Sequence, residues 1–284
     1  MNRSPNIAVF LTLLLPGTGH LYAGRAMRGL VILALVTALT FAGWALVGPA
    51  YLSRARTEIA VPLTQIRFAI PLALPEIMNF VETVVAHAWL KVVHPDTPLK
   101  GTAPFGFCMT AAAAMVTACA AGEAHWLCRR PPHVVSERSP GTAALLAWLL
   151  PGLGHVYLGR RAKGLLVGSV LCATFLLGVL LAERTVVQRE RDLYFWSGEV
   201  LCGLPALVAT VVNAGVRVTR DLAYAEMGLL FTTVAGLLNV LLVIDAYTTA
   251  ERDALGLTAQ EPAPSPSPAP AAAPIAAAPV AQES

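Results

Sequence analysis

Two histidines and two acids are the residues of this chain best placed to do chemistry, and each stands in a repeated setting. His20 lies in Pro16-Gly17-Thr18-Gly19-His20-Leu21-Tyr22-Ala23-Gly24-Arg25. His155 lies 135 positions on, in Pro151-Gly152-Leu153-Gly154-His155-Val156-Tyr157-Leu158-Gly159-Arg160. Glu123 and Asp245 hold equivalent places, 122 apart, near the ends of two apolar stretches that begin Gly106-Phe107-Cys108-Met109-Thr110 and Gly228-Leu229-Leu230-Phe231-Thr232. An ionisable residue inside a membrane segment is a functional candidate by default. The histidines could bind metal or relay protons, and the acids could couple an ion. Each pair also has a structural role open to it. An imidazole can donate to a turn carbonyl and cap a broken helix, and an acid near the membrane interface can pair with Arg or Tyr. No H-E-x-x-H or other ligand spacing supports a metal. The serines lie in no G-x-S-x-G elbow, and the glycines complete no G-x-G-x-x-G loop on a strand. The expectation is therefore no catalytic residue, no cofactor and no metal, with the histidines structural.

The rest of the motif is mechanical. Pro16, Gly17 and Gly19, like Pro151, Gly152 and Gly154, break or kink a helix and let another backbone come close. Tyr22 and Tyr157 are amphipathic rings suited to the headgroup level. Beyond Gly24 and Gly159, the basic clusters Arg25 with Arg28, and Arg160 with Arg161 and Lys163, suit lipid phosphate. Each copy reads as a tight hairpin held at one membrane face.

Composition says why lipid is the solvent. Of 284 residues 56% are hydrophobic and only 13% charged, about half the charge of a soluble domain. A net charge of +3, with its Lys and Arg scattered, excludes nucleic acid as a partner. The cysteines Cys108, Cys119, Cys128, Cys172 and Cys202 form no C-x-x-C pair and read as buried free thiols. The first apolar run resembles a signal peptide, but the same run with its motif recurs deep in the chain, so it reads as retained structure.

The elements that position these residues are apolar stretches at 7–22, 29–49, 105–126, 143–157, 164–182 and 228–247, with two ambiguous ones at 68–90 and 194–216. A transmembrane helix needs about 20 apolar residues. The reading is an all-α polytopic transmembrane bundle, a tandem duplication of a four-segment unit with six to eight crossings. Eight are favoured, because equivalent basic turns belong on the same side and so require an even count per half. In the first ambiguous segment Glu76, Asn79, Thr83 and His87 share one helical stripe, which could face the bundle interior or the headgroups. The division is 1–128 and 129–256 for the repeats, with a disordered Pro/Ala/Ser tail at 257–284.

The run L-P-G-x-G-H-x-Y-x-G-R followed by a long apolar helix resembles the bacterial TM-two domain and its relatives, small hairpin membrane domains. The stretch from Gly228 to Tyr247 looks like the closing helix of an uncharacterised bacterial polytopic family of that type. The resemblance implies a multi-pass protein of the bacterial inner membrane and brings no chemistry with it. The functional expectation is a non-enzymatic structural, adaptor or lipid-contacting component. Its partners are membrane lipids and, possible beside them, membrane proteins or further copies of itself. The alternatives are a small proton- or cation-coupled transporter or channel with its path between the repeats, and an intramembrane lipid-modifying enzyme.

Overall fold

The computed structural model describes residues 3–48, 74–93, 101–216 and 222–257, and all regular structure in these is helical. The tail from 258 and the first part of the 68–90 segment lie outside the described residues. Four described helices are long and apolar enough to cross a membrane. With their shorter neighbours they fall into two similar sets. The first comprises α1 (Pro5–Leu14), α2 (Thr18–Tyr22), α3 (Ala26–Val47), a 3-10 turn (Leu74–Asn79) leading into α4 (Phe80–Val93), and α5 (Ala103–Arg129). The second comprises α6 (Pro140–Leu149), α7 (Leu153–Tyr157), α8 (Arg161–Leu181), α9 (Leu193–Glu199), a 3-10 turn (Val200–Cys202), α10 (Leu204–Val212) and α11 (Ala225–Ala254).

The long helices α3, α5, α8 and α11 have 22, 27, 21 and 30 residues, hence lengths of roughly 32–45 Å at 1.5 Å per residue. Those lengths suffice for a hydrocarbon core about 30 Å thick. In each half the two long helices run antiparallel and meet through glycine. A methyl on Gly43 would lie 2.9 Å from the Gly106 carbonyl oxygen, and one on Gly178 would lie 2.7 Å from that of Gly228. Such close backbone approach is how helices associate without a hydrophobic driving force between them. Outward faces carry exposed Leu30, Val31, Leu165, Leu166, Leu237 and Leu241. Apolar faces of that extent need lipid, and the chain is a multi-pass membrane protein.

The shorter segments depart from the eight-crossing expectation, and the reason is local. The 7–22 and 143–157 stretches are not single helices. α1 has ten residues, about 15 Å. Leu15 is extended, and Gly17 takes φ +87° where a side chain would be strained and would strike the Gly29 backbone. The chain then turns back, and α2 lies antiparallel on α1. Thr18 Oγ1 donates to the Leu11 carbonyl at 2.6 Å, and the Ser4 amide donates to Tyr22 Oη at 3.1 Å. Gly152, at φ +84°, makes the same turn between α6 and α7.

The third segments double back from the other end. Asn79 Nδ2 donates to Thr40 Oγ1 at 2.9 Å and Thr37 Oγ1 to Glu82 at 2.8 Å, which places the start of α4 halfway along α3. α4 then runs beside α3 until His87 meets the Trp44 ring, their centroids 4.1 Å apart. Glu76, Asn79, Thr83 and His87 are all buried while Ile77, Phe80, Val84 and Trp89 are exposed. Of the two readings of the polar stripe, the bundle interior holds. In the second half α9 descends to Leu201, whose carbonyl accepts from Asn239 at 2.9 Å, midway along α11. Gly203, at φ +74°, reverses the chain. α10 returns beside α9, with Trp196 Nε1 donating to Thr210 at 3.0 Å, to the loop after α8, where Asn213 Nδ2 reaches the Val186 carbonyl at 3.1 Å. The tips of α6 and this hairpin touch: Trp148 Nε1 donates to the Val200 carbonyl at 3.2 Å.

The two sets point the same way. Tyr247 Oη donates to the Gly122 carbonyl at 2.9 Å, and the Val135 amide to the Ala254 carbonyl at 2.9 Å. The C-terminal ends of α5 and α11 therefore sit together.

Candidate functional site: a clasp made twice

The motif turns its two halves into a placement device. Because Gly19 lacks a side chain, α2 nests between the Ala8 carbonyl and Ala124, and a methyl there would strike the first and lie 3.1 Å from Cβ of the second. Gly154 does the same between Ala143 and Ala246, where a methyl would lie 3.0 Å from Ala246 Cβ. Each contact lies one residue from the acid of that half. His20 Nε2 stands 3.4 Å from Glu123 Oε2, and His155 Nε2 stands 2.7 Å from Asp245 Oδ2. A cation from the first turn of the next helix completes each group, Arg28 at 2.8 Å from Glu123 and Lys163 at 2.5 Å from Asp245. Ser139, which caps α6, donates to Glu123 at 2.6 Å and so links the halves.

The structure thus joins the two pairs that the sequence had kept separate. It brings each histidine to the acid of its own half, and the imidazole's partner is a carboxylate, not a turn carbonyl. A carboxylate beside Nε2 fixes that nitrogen as the donor. Nδ1 of His20 and of His155 is buried without a hydrogen-bond partner among the described residues. No group of three or more His, Cys, Asp or Glu with metal-site proximity occurs among the described residues.

The remaining motif residues have mechanical positions. Pro16 and Pro151 sit in the turns after α1 and α6, and Gly24 and Gly159 take φ +83° and +87° in the turns before α3 and α8. Tyr22 holds the Ser4 amide, and Tyr157 lies under the Arg138 guanidinium at 6.0 Å. Arg160 reaches Asp253 at 3.4 Å. Arg25 is exposed and makes no ion pair among the described residues.

A second ionic feature at the other end of the bundle escaped the sequence reading. Arg189, in the loop after α8, forms a two-pronged pair with Glu76 at 2.5 and 2.8 Å, and both side chains are fully buried. Thr110 donates to the same carboxylate at 2.7 Å. The guanidinium lies 4.7 Å from the Phe107 ring centre, 4.9 Å from Trp196 and 5.6 Å from Trp44. Its loop carries Glu183, Arg184 and Val187 at positive φ, conformations costly for residues with a Cβ. Glu199 occupies the matching place in the second half. It is buried and accepts from Thr232 at 2.6 Å, without a basic partner among the described residues. The signal was present in Thr110 and Thr232, which the repeat had already aligned.

The model of the Family of unknown function (DUF6677) matches the chain in two segments, residues 7–131 and 142–257. It spans both halves. No curated protein and no solved structure matches.

Proposed function

The chain belongs to this family of unknown function, and from that premise we propose that it is a non-enzymatic structural scaffold of the bacterial inner membrane, meeting its partners within the bilayer or through short loops. The observation that carries this reading is the closure of the motif's ionisable groups on one another. His20, Arg28 and Glu123, like His155, Lys163 and Asp245, pair with each other at the packed ends of helices. Two tandem repeats, divided between 128 and 129, would each comprise two crossings, α3 with α5 and α8 with α11, hence four in all. The short helices α1 and α6 would enter the bilayer from one side and the third segments from the other, as irregular backbone is tolerated where protein covers it. The short basic turns favour the cytoplasm for the motif end. Replacement of His155 tests this role. His155→Gln keeps a donor near the Nε2 position and is expected to retain thermal stability in detergent, whereas His155→Leu lowers it. Equal stability of both variants, with loss of a purified activity or of bound metal, would overturn the scaffold reading.

One observation favours a second reading, a proton-coupled transporter. Glu199 is a buried carboxylate without a cation among the described residues, and intramembrane acids of this kind mark proton relays. Under that reading, proteoliposomes of the wild type dissipate a pH gradient faster than Glu199→Gln. Equal rates in the two would remove it.

A further inference from the structure

At the motif end, between the start of α3, the end of α5 and the linker 130–139, lies a cavity of about 630 Å³ lined by Arg25, Met27, Arg28, Leu127, Arg130 and Glu137. A smaller recess of about 160 Å³ continues from it past Arg28 and Arg130 to Arg138 and Tyr157. Four arginines thus face two glutamates. One of these, Glu123, is already held by His20, Arg28 and Ser139. Arg25 and Arg130 make no ion pair among the described residues.

The second half treats the equivalent cations differently. Arg160, the counterpart of Arg25, reaches Asp253. The end of α11 carries Glu251 and Asp253, and the matching positions at the end of α5 are Arg129, which pairs with Glu251 at 3.7 Å, and Pro131. Among the described residues, Arg25 and Arg130 are therefore left without an ion pair at a concave site, whereas Arg160 and Lys163 are paired with Asp253 and Asp245.

The surroundings select an amphiphile. The cavity rim continues onto α3 through exposed Met27, Leu30 and Val31, so an anion seated on the arginines has an apolar track beside it. Guanidinium groups match phosphate oxygens through paired donors, and basic pockets at helix ends on the cytoplasmic side hold lipid head groups. We infer that this cavity binds the phosphate of an anionic lipid, with its acyl chain laid along α3.

The test is a lipid titration of the full chain in detergent, read by thermal shift, with phosphatidylglycerol, phosphatidylcholine and glycerol phosphate as probes. Phosphatidylglycerol is expected to bind at least tenfold more tightly than phosphatidylcholine. Arg25→Gln/Arg130→Gln removes two interfacial charges and should weaken phosphatidylglycerol by roughly thirtyfold. Arg161→Gln, on the second half, leaves it unchanged. Glu137→Gln removes a repulsive charge without opening the core, and it should tighten phosphatidylglycerol severalfold even if the double variant folds poorly. Equal binding of the two lipids, or no change in either cavity variant, would overturn the site. Protection by glycerol phosphate equal to that by phosphatidylglycerol would assign the arginines to a soluble phosphate ester and overturn the lipid assignment.

Discussion

The two halves of the molecule share their skeleton and differ in how they treat charge. In both, a left-handed glycine turns the first helix back, a glycine pair joins the long helices, and histidine, acid and cation close one end. At the opposite end the halves part. Glu76 is locked to Arg189 inside a ring of three aromatics, whereas its counterpart Glu199 accepts from Thr232 and has no basic partner among the described residues. At the motif end the asymmetry reverses in sign: Arg160 and Lys163 are paired with Asp253 and Asp245, and Arg25 and Arg130 make no ion pair among the described residues. The shared skeleton is therefore the frame, and the differences are concentrated in the charges. A repeat that keeps its packing glycines and changes its charges is one in which packing was needed twice and each charge once.

The largest effect expected is at the Arg189–Glu76 pair. Removing one partner of a fully buried pair typically costs about 3–5 kcal/mol, because the survivor is left charged in an apolar site. Arg189→Met should therefore collapse the thermal transition, and Arg189→Met/Glu76→Met should recover most of it. Glu199→Gln, in the equivalent place, should cost about 1 kcal/mol or less, since a neutral amide still accepts from Thr232. A Glu199→Gln loss as large as that of Arg189→Met would erase the difference between the halves.

Next come the turns. Gly17→Ala and Gly152→Ala each force a side chain into positive φ against a backbone carbonyl, and each should cost about 2 kcal/mol or more. Similar losses in the two would sharpen the equivalence of the halves. A tolerated substitution in one alone would break it, and differential scanning in detergent reads the outcome.

Smaller still is the contrast between the two clasps. Glu123 keeps 8% of its side-chain surface exposed and Asp245 keeps 42%. Charge pairs weaken as water reaches them, so Glu123→Ala should destabilise by more than Asp245→Ala, the second by about 1 kcal/mol or less. The reverse order would mean that the shorter His155–Asp245 distance outweighs exposure.

The repeat, and with it the placement of both motifs, was legible in the sequence because backbone contact leaves no choice but glycine, so Gly17, Gly19, Gly43 and Gly106 recur at fixed offsets as Gly152, Gly154, Gly178 and Gly228. What each histidine touches was not legible, since its acid lies 103 or 90 residues away in the chain. The fold-back of the third segments was hidden for another reason. Twenty residues with a polar stripe satisfy a crossing helix and a half-depth hairpin alike. The turn at Gly203, just before Leu204-Pro205, marks a break that an apolar count passes over. Arg189 sits in a charged loop and reads as solvated until the Glu76 carboxylate and three aromatic rings are seen around it.

The arrangement of two parallel halves, each with two crossings and with third segments that double back, is tested most directly by side-specific labelling. Single cysteines at Arg25, Arg161, Lys91 and Arg191, all exposed, would be placed in a background without the five native cysteines and treated with an impermeant maleimide. Arg25→Cys and Arg161→Cys are expected to react from one side of the membrane, Lys91→Cys and Arg191→Cys from the other. Reaction of Lys91→Cys from the same side as Arg25→Cys would mean that the third segment crosses, and reaction of Arg25→Cys and Arg161→Cys from opposite sides would mean that the halves are inverted; either result contradicts the account.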